Sequence, residues 1–353
     1  MNLTSKFKLF YNISLFFFAF FHFSCSNCDL IYYEIPSEWR SNSELSKIKD
    51  EMKKTLKGKK IFIDPGHGGE DRNNISPRGL VVEADVNLRI ALNLKKFLEE
   101  IEATPILSRE KDETVTLQKR VDLANSSGAE IFISIHHDAV NDPFDRWTNY
   151  TATYYRGPDT IYEHEPSSKD LARYIQRDLS YAMRNSGGFD SFDGTYPDVY
   201  RVPTLGIFIL RYLKMPAVLI ECSFHTNAME EKRLAIPEFN KIQAWGILKG
   251  IYRYYKDGFP QIIPLYNNSP NKISASDTLQ FYIKDKNRID KNSIKVFLNK
   301  KISYFEYEEA KSIVKIPLNR IKNLMQNALE IRIIAKNNFG NSSHPFNIKL
   351  KLD

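Results

Sequence analysis

The stretch IFIDPGHGGED, residues 61–71, sets the reading of the whole chain. Three apolar residues lead into an acid, a proline, a glycine, a histidine and two more glycines. The apolar run reads as a buried strand, and the Pro-Gly pair stops it. His67 therefore sits in a tight turn, either as a spare imidazole or as one aimed at something.

Downstream, strand and helix signals alternate. EADVNLRIALNLKKFLEEI carries Val86, Ile90, Leu94 and Phe97 at helical spacing. TPILSR reads as a strand, TLQKRVDLANSSG as a short helix ending at Gly128, EIFISIHH and TATYY as strands. SSKDLARYIQRDLSYAMR is an amphipathic helix, AVLIECSF a strand, and EFNKIQAWGILKGIYRYY a closing helix. This order predicts an α/β domain over residues 58–257, with a mostly parallel sheet flanked by helices on both faces.

The tail changes character. GFPQIIPLYNNSP is proline-rich and reads as a linker over 258–272. LQFYIKD, SIKVFLN, SIVKIPL, ALEIRIIAKN and FNIKLKL then follow with turn residues between them. They predict a small antiparallel β-sandwich, immunoglobulin-like, over 273–353. Residues 260–353 hold 16 Lys and Arg against 8 Asp and Glu, so the positive charge of the chain belongs to this tail.

Composition bounds the rest. The 353 residues suffice for about two domains at ~150 residues each. Hydrophobic content of 42% and charged content of 26% are ordinary for a folded protein. The three cysteines, Cys25, Cys28 and Cys222, can build neither a disulfide framework nor a paired-CxxC zinc cluster. The net charge of +7 is not gathered into a basic block beside a recognition helix, so nucleic acid is not an expected partner.

The N-terminus reads as an export signal over residues 1–26. Lys6 and Lys8 precede ISLFFFAFFHF, residues 13–23, an apolar core too short to span a bilayer comfortably. Cys25 resembles the lipid-receiving cysteine of bacterial lipoproteins, and cleavage after Ser26 is the rival reading. Either route predicts the periplasm or cell envelope, with a lipid on Cys25 as the only membrane attachment. Residues 27–57 read as a polar linker.

His67 acquires meaning from two other residues. Glu83 opens the long helix, and His136 ends the third strong strand. Loops after strands converge at one edge of an α/β sheet, and a His/Glu/His set is a catalytic zinc ligand set that leaves a fourth position for water. His136 and His137 face opposite sides of a strand, so one of the two can join. Gly66, Gly68 and Gly69 let the backbone bend close to a metal. Asp64 is expected to cap this loop or to support His67. Glu221 ends the buried AVLI strand, where a carboxylate is costly unless paired or functional. Beside an activated water it would serve as general base and then protonate a leaving amine.

These motifs resemble a known family. IDPGHGGED, GLVVEADVNLRIALNLKKFLE, LSREKDETVTLQKRVDLANSSGAEIFISIHHDA and PAVLIECSFHTN, in this order, are similar to the zinc-dependent N-acetylmuramoyl-L-alanine amidases of amidase type 3. The resemblance covers residues 58–256. It implies that His67, Glu83 and His136 hold one zinc ion per chain and that Glu221 is catalytic. The implied substrate is peptidoglycan, cut between N-acetylmuramic acid and the L-alanine of the stem peptide during wall remodelling or septum splitting. Arg109 and Arg120 match the family's arginine positions and are expected to be structural, paired with acids. Two features depart from the family: Ser223 stands where a glycine is usual, and His225 follows as an unusual neighbour that either contacts substrate or sits idle in a loop. The segment 141–203 is long and aromatic, which suits a lid, a substrate rim or a partner site. The basic tail is expected to hold anionic envelope polymers or lipids. Other readings are an inactive wall-binding or activator protein and a zinc peptidase acting on another amide of the stem.

Overall fold

Residues 60–65 form strand β1 (Lys60–Pro65), and the helix–strand alternation places five more strands beside it. These are β2 (Thr104–Leu107), β3 (Ile131–Asp138), β4 (Ala152–Tyr155), β5 (Thr195–Pro197) and β6 (Ala217–Phe224). The sheet order is β2-β1-β3-β6-β4-β5. β1, β2, β3 and β6 are mutually parallel, while β4 runs antiparallel to β6 and β5 lies parallel to β4. The sheet is thus mostly parallel, with a reversed outer pair. The computed structural model describes residues 31–158, 162, 164–188, 191–265, 273–274, 276–320 and 328–351. The N-terminal stretch expected to be an export signal, with Cys25 and Cys28, lies outside the described residues. From Tyr33 onward the chain forms one compact unit.

Helices cover both faces. Helices α1 (Asn42–Leu56), α2 (Glu83–Glu100), α4 (Pro166–Met183) and α7 (Pro237–Asp257) bury Ile61, Ile63, Ile133, Ile135, Val218 and Ile220 on one side. Helices α3 (Leu117–Ser126) and α5 (Phe208–Tyr212) cover Phe62, Phe132 and Leu219 on the other. A short helix α6 (Glu230–Leu234) follows β6. The two-residue period of a strand then fixes the site. Asp64, Ser134, His136 and Glu221 continue the face that holds Phe62, Phe132 and Leu219, and His137 turns to the opposite face.

The described parts of both expected linkers contain regular elements. Residues 27–57, expected as a polar linker, contain α1, capped by Ser41 and anchored through the buried Met52 and Leu56. Trp39, just before it, packs edge-on to Trp245 of α7 at 5.7 Å between ring centroids. Glu38 accepts hydrogen bonds from Trp245 Nε1 at 2.8 Å and Lys249 Nζ at 2.9 Å. Burial opposes the Glu38 charge, yet these two donors hold its carboxyl down to about 2. A depressed carboxylate contributes stability above its unfolded pKa and loses it as pH falls toward the folded one. Wild-type Tm is therefore expected to drop more steeply than that of Glu38→Gln between pH 4.5 and 2. Parallel melting curves would show that this carboxylate does not anchor the N-terminal segment.

Residues 258–272, expected as a linker, contain strand β7 (Gln261–Pro264), which pairs with β8 (Thr278–Lys284). Its flanking prolines suit an edge strand. Strands β9 (Ile289–Leu298), β10 (Lys301–Ile302), β11 (Glu306–Glu308), β12 (Ile313–Pro317), β13 (Ala328–Asn337) and β14 (Phe346–Lys351) complete two four-stranded antiparallel sheets. Their inner faces share one core, including Phe281, Val296, Val314 and Ile333. This tail is fastened to the α/β domain and to the segment that follows α7. Ser342 N donates to Asp170 Oδ2 at 2.7 Å, Asn341 Nδ2 to the Gly258 carbonyl at 2.8 Å, and His344 stacks on Phe259 at 4.8 Å.

Candidate metal centre

The turn after β1 is strained toward the site. His67 has a φ of 60°, in the left-handed region that non-glycine residues rarely occupy. A Cβ on Gly66 would lie 2.0 Å from His136 Cε1, so the glycine makes room for that imidazole. Two arginines hold the loop. Arg109 Nη2 donates to the Gly66 carbonyl at 2.9 Å, and Arg120 Nη2 to the His67 carbonyl at 2.8 Å. Arg120 is paired with Asp64, as expected of it, at 2.5 Å, while Arg109 bonds backbone carbonyls instead of an acid. Asp64 therefore acts on His67 only through Arg120. The carboxylate on the Nδ1 side of the His67 ring is Asp71, whose Oδ2 lies 2.8 Å from it.

Glu83 is the hub. Its backbone position at the first turn of α2 suits a carboxylate, because the helix dipole favours negative charge there. His67 Nε2 lies 3.1 Å from Oε2, and His136 Nδ1 lies 3.2 Å from Oε1. Asn74 donates to Oε2 at 2.7 Å, and Asn87 and the His137 amide each donate to Oε1 at 3.0 Å. Burial raises the cost of its charge, but the hydrogen bonds and charges of His136 and His67 win and hold the carboxyl well below the usual range. One ligand atom from each of His67, Glu83 and His136 lies within 4.8 Å of the others. Glu83 is 2% exposed, whereas the His67 and His136 side chains are 21% and 16% exposed. The cluster is thus closed beneath and open above.

His137 is elsewhere. Its Nδ1 lies 2.8 Å from Asn87 Oδ1 and its Nε2 lies 3.1 Å from Gln243 Nε2, which fixes a neutral tautomer that donates to one amide and accepts from the other. Burial pushes its pKa down to about 3.

Glu221 pairs in register with His136 across the parallel β3–β6 ladder. Its Oε2 is buried with no hydrogen-bond partner among the described residues. Burial first, then the charges of Asp138 and Glu83, push its carboxyl well above the usual range, and Arg201 opposes them. Arg201 grips Asp138 with two bonds, at 2.7 and 3.2 Å. His225 is 3% exposed, and neither ring nitrogen has a partner among the described residues. It is tied only through its backbone amide, which donates to the Asp138 carbonyl at 2.9 Å.

Sequence reasoning missed the supports. Asn87 lies four residues after Glu83 on α2, a spacing that shares one helix face and was legible. Glu231 was not: it is fully buried and draws in Arg78 at 2.5 Å and Arg146 at 3.3 Å. It thereby fastens the loops that follow β1, β3 and β6 to one another. On the middle loop Phe144 and Trp147 stand 87% and 82% exposed, a rim within the long segment 141–203.

Two imidazoles and a carboxylate at the edge of a mostly parallel sheet, facing a second, buried carboxylate, define an α/β domain with a candidate metal centre. The family model described as N-acetylmuramoyl-L-alanine amidase matches residues 61–253, and the chain belongs to this family, amidase type 3. The chain is 37% identical over 211 residues to the N-acetylmuramoyl-L-alanine amidase LytC of Bacillus subtilis, covering 60% of itself and 38% of that protein. It is 31% identical over 216 residues to the germination-specific N-acetylmuramoyl-L-alanine amidase of the same species, covering 57% of itself and 82% of the relative. The chain thus spans little more than a third of the first of these relatives and most of the second. The Ami1 amidase structure from Mycobacterium smegmatis shares the fold, with a TM-score of 0.50 at 20% identity over 57% of this chain and 99% of that one.

Proposed function

We propose that this protein is a zinc-dependent N-acetylmuramoyl-L-alanine amidase that hydrolyses peptidoglycan between the lactyl group of N-acetylmuramic acid and L-alanine. The single observation carrying this is the cluster of His67, Glu83 and His136 opposite the orphaned carboxylate oxygen of Glu221. The donor set suits zinc, since two neutral imidazoles and one carboxylate leave an open coordination position. The room that Gly66 leaves for the His136 ring, and the opening above the two imidazoles, support the same fit.

His67, Glu83 and His136 would hold the ion, which when bound supplies Lewis acidity and an acidified water at the scissile amide. Asp71 orients the His67 ring, and Asn74, Asn87 and the His137 amide keep Glu83 aimed upward. Glu221 Oε2 accepts the proton of the attacking water and returns it to the alanine nitrogen as the C–N bond breaks. Burial suits this role, since a carboxyl raised well above its usual range can both take and give a proton. The products are the lactyl carboxylate and a free stem peptide. Export to the cell envelope, through the N-terminal signal, belongs to this reading, and no helix among the described residues is long and apolar enough to cross a membrane.

Digestion of purified sacculi tests the proposal. Released peptides beginning with L-alanine are the expected product. Cuts within the peptide would make it a peptidase, and zinc without products would make it a binding module. The basic tail adds an electrostatic hold on anionic wall polymers, so raising salt is expected to slow sacculus digestion more than hydrolysis of a soluble muropeptide. Equal salt responses would remove that role.

A further inference from the structure

A cleft of about 680 Å³ lies among α4, residues 187–188 and 191–194, and the turn that follows β13. It is lined by residues of both halves of the chain, among them Arg173, Arg177, Phe192, Asp193, Phe339 and Asn341. The amidase chemistry uses none of them. Its volume is that of a small-ligand site, and such sites favour domain boundaries.

Hydrogen bonds hold the described residues of its walls. The turn carrying Phe339 is closed by Asn337, whose amide donates to the Asn341 carbonyl at 3.0 Å and whose Oδ1 accepts from Phe339 N and Asn341 N at 3.1 Å each. Asn341 is held in turn by Tyr174 and the Gly258 carbonyl. Across the cleft Asp193 accepts from Thr195 Oγ1 at 2.7 Å and pairs with Arg173 at 3.0 Å. Gly194, at a φ of 73°, lets this loop settle on α4, since a Cβ there would lie 2.4 Å from Gln176 Nε2. Phe339 is nevertheless 63% exposed, and Phe192 is fully exposed. Two phenylalanines are presented to solvent on hydrogen-bonded turns, beside planar polar groups.

The chemistry selects the ligand. Arg173 pairs with Asp193 and Arg177 with Asp178, so the guanidinium charges of the cleft are already met and it does not select a charged molecule. Aromatic faces attract the weakly positive C–H faces of pyranose rings, and planar guanidinium, carboxylate and amide groups suit pairs of hydroxyl or acetamido groups. We infer that this cleft is a saccharide-binding site that holds the glycan strand of the wall away from the reacting amide. That it is wall glycan rests on the amidase reading; that it binds saccharide does not. The tail then acts as half of a binding site, which explains why it is fastened to α4 instead of swinging on a linker.

Chitotetraose, a peptide-free oligomer of N-acetylglucosamine, is the probe, titrated into the full chain by calorimetry. Saturable binding is expected, weakened on the order of tenfold by Phe339→Ala, and similarly by Arg173→Ala. Both side chains are exposed, so neither change should lower Tm. Both variants should keep wild-type turnover on a soluble muramyl tripeptide and lose rate on sacculi. Absence of chitotetraose binding, or binding untouched by both substitutions, overturns the inference. Binding of an acidic stem tripeptide in place of the saccharide at these residues also overturns it. A protein inactive on sacculi that still binds chitotetraose through Phe339 supports the cleft and counts against the amidase reading alone.

Discussion

Glu221→Gln is expected to bind zinc and peptidoglycan as the wild type does and to turn over at least on the order of 10²-fold more slowly. The amide keeps the size and polarity of the side chain and removes the proton acceptor. Oε2 has no partner among the described residues, so no hydrogen bond to that oxygen is lost, and the attraction of Arg201 is the one favourable charge contact. Against it, Asp138 and Glu83 repel that charge in a buried site. The Tm of chelator-treated Glu221→Gln should therefore rise above that of chelator-treated wild type, separating a catalytic residue from a structural one. Steady-state hydrolysis, metal content and thermal melting read the three consequences. Near-normal turnover would move the proton transfer to another group, and the buried His225 would be the first to test.

His136→Ala should lose both zinc and activity while the domain stays folded, since its side chain is 16% exposed and its one described hydrogen bond is to Glu83. His137→Ala should do the reverse. Its ring is buried between Asn87 and Gln243, and removing it strands two amides at about 1–3 kcal/mol each. Metal analysis and melting curves on the two variants distinguish them. Full zinc in His136→Ala with loss in His137→Ala would place the ligand on the wrong face of β3.

The corrected linkers show what pattern reading overlooks. Leu45, Ile48, Met52 and Leu56 recur at helical spacing in α1, but lysines and acids between them hide the period. Ile262 and Ile263 form an edge strand between two prolines, a place where prolines are tolerated and where they also mark a linker. Arg109 was expected to find an acid and found carbonyls, because the turn after β1 leaves several of them facing inward.

Hydrophobic period was enough to read a mostly parallel sheet, its helical cover and the places of His67, Glu83, His136 and Glu221, because each stands at an element boundary and period fixes its face; the reversed outer pair β4 and β5 was not legible that way. It also left one of two histidines to choose. How those residues are held depends on contacts between segments remote in sequence. Asp71 rather than Asp64 orients His67, Glu231 fastens Arg78 and Arg146 from loops remote in sequence, and Ser342 meets Asp170 across two domains. Hydrophobic periodicity records which side of an element is buried, but not which polar group waits there. Those partners are set by loop paths and domain docking, and these leave no repeating trace along the chain.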